Sequence, residues 1–192
     1  YNTLVGSEAG TAITLGDGNT ALGYQNSIAT TEGTYNSIVG SNAFINNISG
    51  NANSGIGHAI LYNNTADSNT ALGYYALFSN TSGTGGVAVG RDAGEFATTA
   101  DNSTFVGFQA GQGITGAKLT GNNNTALGKD AGLLLQGTAN ANTLLGATAG
   151  DNITTGDSNI IIGNGIDAAS ATADGQLNIG GWIQGVAGQI TI

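Results

Sequence analysis

The pentad NTALG occupies Asn19–Gly23 and recurs unchanged at Asn69–Gly73 and Asn124–Gly128. Looser copies fill the gaps: NTLVG from Asn2, NSIVG from Asn36, NSGIG from Asn53, GVAVG from Gly86, STFVG from Ser103, NTLLG from Asn142, NIIIG from Asn159 and QLNIG from Gln176. The closing glycines are Gly6, Gly23, Gly40, Gly57, Gly73, Gly90, Gly107, Gly128, Gly146, Gly163 and Gly180. Their spacing is 16 to 18 residues throughout, except for 21 between Gly107 and Gly128. A fixed period of this size is the signature of stacked coils, because one such unit cannot bury a core alone and gains one from its neighbours.

The columns of the repeat have separate physical readings. An aliphatic residue always precedes the glycine: Val5, Leu22, Val39, Ile56, Leu72, Val89, Val106, Leu127, Leu145, Ile162 and Ile179. This column is expected to point inward and form the structural core. Two residues earlier stands a mostly Thr or Ser column (Thr3, Thr20, Ser37, Ser54, Thr70, Thr104, Thr125, Thr143), which the period of a strand puts on the same face. Asparagine usually opens the pentad; it tolerates left-handed backbone and can form ladders between stacked turns. Alanine follows three residues after most glycines (Ala9, Ala43, Ala76, Ala93, Ala110, Ala131, Ala149), where a small side chain fits a close backbone approach. A second short strand and then a turn such as Thr14–Asn19 are expected to complete each rung.

Helix is excluded by Gly and Asn every few residues. The sequence therefore predicts an all-β fold, a β-solenoid or β-roll of about eleven rungs of ~17 residues with two short strands per rung, roughly 50 Å long. Residues 1–165 are read as the repeat shaft or head, and 166–192, where the repeat loosens, as a C-terminal transition or cap. Apolar residues in the second half of the rungs, among them Ile13, Leu15, Ile28, Phe44, Ile48, Ile60, Leu61, Leu77, Phe78, Leu133, Leu135 and Ile153, exceed what one thin roll is expected to cover. A homotrimer of intertwined or side-by-side chains is the expected solution.

Composition narrows the function. Glycine fills 34 of 192 positions, and proline, cysteine and methionine are absent. Without cysteine there is no disulfide framework or thiolate metal site. Three basic residues (Arg91, Lys118, Lys129) against twelve acidic ones give a net charge of −9, the wrong sign for nucleic acid or an anionic lipid surface. No apolar run approaches ~18 residues, so no membrane insertion is expected.

Chemistry-bearing constellations are sparse. His58, the one histidine, lies in GHAIL with no second histidine and reads as a repeat position that has drifted. The acids fall in turns (Asp17, Asp67, Asp101, Asp157) or just after the glycine (Glu8, Asp92, Asp130) and read as solvated, with no carboxylate pair outside the repeat columns. The glycine-rich stretches Gly83–Gly86 and Gly113–Gly116 lack phosphate-binding spacing. No catalytic residue, metal site or cofactor is expected, so the chain is read as no enzyme. Tyr24, Tyr74 and Phe108 follow rung glycines and Tyr75 follows Tyr74; these four are the candidate receptor-binding residues, with packing across a seam or a neighbouring rung as the alternative. The long rung Gly107–Gly128 and the Gln136–Asn142 stretch are expected to loop out, where recognition often sits.

The NTALGY-type repeat resembles the distal fibre proteins of tailed bacteriophages and is similar to the β-roll head repeats of trimeric autotransporter adhesins. The run Ser158–Gly185 looks like fibre and tailspike segments that precede an endosialidase-type intramolecular chaperone, which assembles the trimer and cuts itself off; similar fibres occur in predatory bacteria. The resemblance implies a structural and adhesive fibre segment on a virion tail or cell surface. It would space, or mediate attachment to, a host or prey cell through a glycan or protein receptor. It further implies that Ile192 lies near a processed end and that Trp182 packs near the trimer axis, capping the core. The alternatives are a glycan-degrading tailspike segment and, from the threonine column, an ice-binding solenoid.

Overall fold

In the computed structural model, which describes residues 1–186 and 189–191, the chain is an all-β solenoid without helices among the described residues. Each pentad contributes a three-residue strand: β1 Thr3–Val5, β2 Thr20–Leu22, β3 Ser37–Val39, β4 Ser54–Ile56, β5 Thr70–Leu72, β6 Val87–Val89, β7 Thr104–Val106, β8 Thr125–Leu127, β9 Thr143–Leu145, β10 Ile160–Ile162 and β11 Leu177–Ile179. These pair in parallel and in sequence order, with like repeat positions in register, for example Thr70↔Val87 and Leu72↔Val89. Two antiparallel strands, β12 Ile183–Val186 and β13 Gln189–Thr191, complete a 13-stranded sheet.

The glycine closing each pentad makes the corner. From Gly6 to Gly163 it has φ between +131° and +153°, a conformation that side chains resist. The rungs also touch here: a Cβ on Gly23 would lie 2.0 Å from the carbonyl oxygen of Gly40, and one on Gly73 would lie 2.5 Å from that of Gly90.

Beyond the corner the expected second strand is absent. One strand per rung is followed by a run of turns. Backbone hydrogen bonds still tie this run to both neighbours. Two residues past the glycine the N–H donates to the preceding rung, as Tyr75 does to His58 O (3.1 Å); four past it the N–H donates to the following rung, as Leu77 does to Ala93 O (3.1 Å). Both positions are left-handed even where the residue is not glycine (Tyr75 φ 57°, Leu77 φ 50°). Alternating backbone of this kind projects both N–H groups along the solenoid axis, so the left-handed cost is offset by rung-to-rung bonding.

The core corrects the sequence reading. From β2 to β10 the middle residue points inward: Ala21, Ile38, Gly55, Ala71, Ala88, Phe105, Ala126, Leu144 and Ile161 are all buried. The column before the glycine faces out. Val5, Leu22, Ile56, Leu72, Leu127 and Leu145 are 42–57% exposed, and Val39, Val89, Val106, Ile162 and Ile179 are half-buried. A strand three residues long has room for only one inward position, and the pleat gives it to the centre. The inner space is shared with the turn residues by volume exchange. Phe105 fills the space left by Gly94 and Gly111, and Leu144 that left by Gly132 and Gly150; Ile60 and Ile38 flank Gly55, and Leu77 lies against Gly86 and Gly94. Phe44, Ile60, Leu61, Leu77, Leu135 and Ile153 are thus buried within one chain, whereas Leu15 and Ile48 are exposed. The alanine column is buried from Ala43 to Ala149.

Asparagine forms the expected ladder. Asn36 Oδ1 accepts the N–H of Asn53 (2.9 Å), Asn53 Oδ1 that of Asn69 (2.9 Å), and Asn69 Oδ1 that of Gly86 (2.8 Å); Asn142 and Asn159 continue it on the far side of the Gly86 and Ser103 interruption. The left-handed residue is the one before the asparagine, such as Tyr35, Ala52 or Ser68. The turn acids, read as merely solvated, form a second ladder: Oδ1 of Asp67, Asp101, Asp157 and Asp174 each accepts the N–H of the residue one rung earlier at 2.7–2.8 Å.

The stack runs past residue 165. Parallel pairing continues to β11, and Gln176 still joins the asparagine ladder, so the cap begins after Ile179. The cap is made by β12 and β13, which cover the last strand edge. Trp182 does not pack on the core; it is 84% exposed at the β11–β12 turn. The four extra residues of the long rung do bulge out at Ile114–Ala117, but Gln136–Asn142 stays in the stack, with Ala139 and Asn142 buried.

Gly73→Ala, which places a Cβ on a backbone oxygen at positive φ, is expected to cost about 3 kcal/mol or more. Gly116→Ala, where nothing lies within 4 Å, is expected to stay within about 0.5 kcal/mol. Asn53→Ala strands the buried Asn69 N–H and is expected to cost about 1–3 kcal/mol. Denaturant melts of the three variants check the order.

Candidate functional site

The residue directly after the rung glycine stands on the outer side of the corner, and stacking places successive copies one above another. Reading up the solenoid, this column is Ser7, Tyr24, Ser41, His58, Tyr74, Arg91, Phe108, Lys129 and Ala147. From His58 to Lys129 its side chains form a continuous stack. The His58 and Tyr74 rings lie 5.2 Å apart and 10° from parallel. Arg91 is sandwiched, its Cζ 5.7 Å from the ring centres of both Tyr74 and Phe108, and Lys129 Nζ lies 5.9 Å from Phe108. Cations over ring faces are attracted by the ring quadrupole.

A second aromatic group flanks this stack. Tyr75 lies 4.0 Å from Tyr74 and 4.8 Å from Phe78, which stacks on Tyr62 at 5.0 Å. Each cation is partnered within its own rung. Arg91 Nε donates to Asp92 Oδ2 at 3.1 Å, and Lys129 Nζ donates to Asp130. Beside them Gln112 Nε2 donates to Glu95 at 2.7 Å; burial nevertheless holds the Glu95 carboxyl above its ordinary range. The adjacent Tyr74, then burial, raises the Tyr75 hydroxyl.

Of the four residues singled out in the sequence, the structure brings Tyr74, Tyr75 and Phe108 together. Tyr24 stands apart, 49% exposed and two rungs from His58. His58 and Arg91, which tie the cluster together, were missed; aligning the column after each glycine would have found them. Within the stack the ring faces are turned along the axis and taken up by neighbours, which leaves mainly edges to solvent.

Two carboxylates do meet outside the repeat columns. Asp151 is held above its usual range, foremost by burial, then by the neighbouring Asp167 and by the charge of Asp130. Asp167 also lines an open cleft of about 420 Å³ beside β11 and β12. Among the described residues no group of three or more His, Cys, Asp or Glu side chains is placed to hold a metal ion, and no helix is long and apolar enough to cross a membrane. No family model, curated protein or solved structure matches the chain.

A carboxyl raised in the folded state favours the protonated form. The stability it contributes is complete below the ordinary carboxylate value near pH 4 and is lost as pH rises through the raised value. Asp151→Asn is therefore expected to raise Tm by about 1–2 °C at neutral pH and to leave it unchanged near pH 4, as read by thermal melts at the two pH values.

Proposed function

We propose that the chain is a segment of a homotrimeric surface fibre, a virion tail fibre or a fibre-like adhesin, that spaces or mediates attachment to a host or prey cell surface. The role is structural and adhesive rather than catalytic. The observation that carries this reading is the outward aliphatic column. Eleven Val, Leu and Ile side chains form one row along about 50 Å of the solenoid, beside the glycine corner. Isolated exposed apolar residues need no explanation, but an unbroken row marks an interaction surface. The row is one residue wide and lies at the edge of a face whose other column is Thr and Ser. That shape suits three rods converging on an axis better than two flat sheets laid together. A rigid trimeric rod fits the spacer role, and the aromatic–cation cluster on the corner fits recognition of a receptor, a cell-surface glycan or protein.

One observation favours a second reading, ice binding. Thr3, Thr20, Ser37, Ser54, Thr70, Thr104, Thr125 and Thr143 stand in register on the solvent-facing side of the sheet, interrupted by Val87, Ile160 and Leu177. Thermal hysteresis of the purified protein decides that reading.

Light scattering is expected to give three times 18.8 kDa. Leu72→Glu with Leu127→Glu is expected to yield a folded monomer with unchanged β-type circular dichroism. A wild-type monomer at high concentration contradicts the trimer.

A further inference from the structure

We propose that Tyr24 and His58 form the two walls of a slot, floored by Ser41 and Asn42, that takes the guanidinium of an arginine side chain from a partner protein. The proposal deepens the attachment reading and rests on it for the source of the arginine.

The structure holds a filled copy of the same arrangement. Tyr74, Arg91 and Phe108 occupy successive rungs of the corner column, and the guanidinium lies 5.7 Å from each ring. Tyr24, Ser41 and His58 occupy the same column, each three rungs below its counterpart. Their backbone course matches: the following residues Gln25, Asn42 and Ala59 have φ of 49°, 52° and 50°, against 57°, 57° and 55° for Tyr75, Asp92 and Gln109. Inter-rung bonds fix the stacking, with Asn42 N–H donating to Tyr24 O (2.9 Å) and Ala59 N–H to Ser41 O (3.0 Å). Two rungs span roughly 9.5 Å, room enough for one flat group between two rings, as Arg91 shows in the filled copy. Serine fills none of it. Tyr24 makes no ring contact among the described residues, and His58 stacks only on the Tyr74–Tyr75 side.

The floor has unused hydrogen-bonding capacity. The half-buried side chains of Ser41 and Asn42 have no protein partner among the described residues, and Asn42 occupies the position from which Asp92 accepts the Arg91 Nε–H. A carbonyl oxygen and a hydroxyl are acceptors for guanidinium N–H groups. Ring faces attract cations, guanidinium stacks on both of its faces where an ammonium cannot, and a net charge of −9 draws cations to the surface. The chain's one arginine is already used in the upper sandwich, so the occupant comes from another molecule.

N-acetyl-arginine amide titrated into the intact protein, followed by the NMR signals of the His58 imidazole and the Tyr24 ring, tests the slot. A saturable shift is expected, weaker with N-acetyl-lysine amide. Ser41→Arg fills the slot from within, and the fold accepts arginine at this column position; it is expected to abolish the shift while the melt is retained. Asn42→Asp recreates the acid of the filled copy and is expected to tighten binding about threefold to tenfold. No saturable shift, a shift that survives Ser41→Arg, or a larger response to a neutral methyl pyranoside overturns the proposal. Attachment to cells is scored separately. Ser41→Arg protein that still attaches removes the slot from adhesion and leaves the attachment reading standing. Wild-type protein that binds the probe and attaches to no cell supports the slot and sinks that reading.

Discussion

A buried amide side chain is tolerated only when its oxygen and its NH₂ find partners, and in this protein the partners of each asparagine lie one rung away. Asn36 is typical. Its oxygen receives the backbone N–H and the side-chain amide of Asn53, while its own Nδ2 donates to Asn19 Oδ1 and Gly50 O. No rung is satisfied alone. The same dependence recurs at the turn, where aspartate and asparagine oxygens cap the N–H of the rung before, and in the left-handed run, whose N–H groups point alternately up and down the axis. The seventeen-residue period is therefore a hydrogen-bonding requirement before it is a packing one. The four-residue insertion is accommodated where the chain leaves the stack and returns in register, between Gly113 and Leu119.

Packing follows from that register. Because the glycine corners touch, the rungs are held at a fixed spacing, and the interior must be filled by whatever each rung brings. The centre of the strand and the fourth residue past the glycine trade volume: Phe105 stands against Gly94 and Gly111, and Leu144 against Gly132 and Gly150. The inner column accordingly varies widely in size, while the outer aliphatic column keeps one character.

That inversion explains what was legible in the sequence. The period, the all-β class, the asparagine ladder and the corner glycine were readable, because each depends on a residue type that has one use at one place. The inward column was not. Val5 to Ile179 look like a core because they never vary in character, whereas the true core positions pass from Gly55 to Phe105. The second strand was expected from composition, and it failed because alternating left-handed backbone has no side-chain signature; leucine, tyrosine, asparagine and aspartate all occupy it. At the site, Tyr74, Tyr75 and Phe108 were found as aromatics, while Arg91 and His58 were hidden by being read as isolated residues instead of as members of one stacked column.

Hydrogen exchange measured residue by residue tests most directly whether the rungs are held together through the asparagine ladder. The backbone N–H groups of Asn36, Asn53, Asn69 and Asn142, with their side-chain amides, are expected to exchange slowly and together, as one cooperative unit, and the backbone N–H of Asn2 in the first rung to exchange fast. Rapid exchange at the four interior asparagines, at rates near those of an unstructured chain, would contradict it.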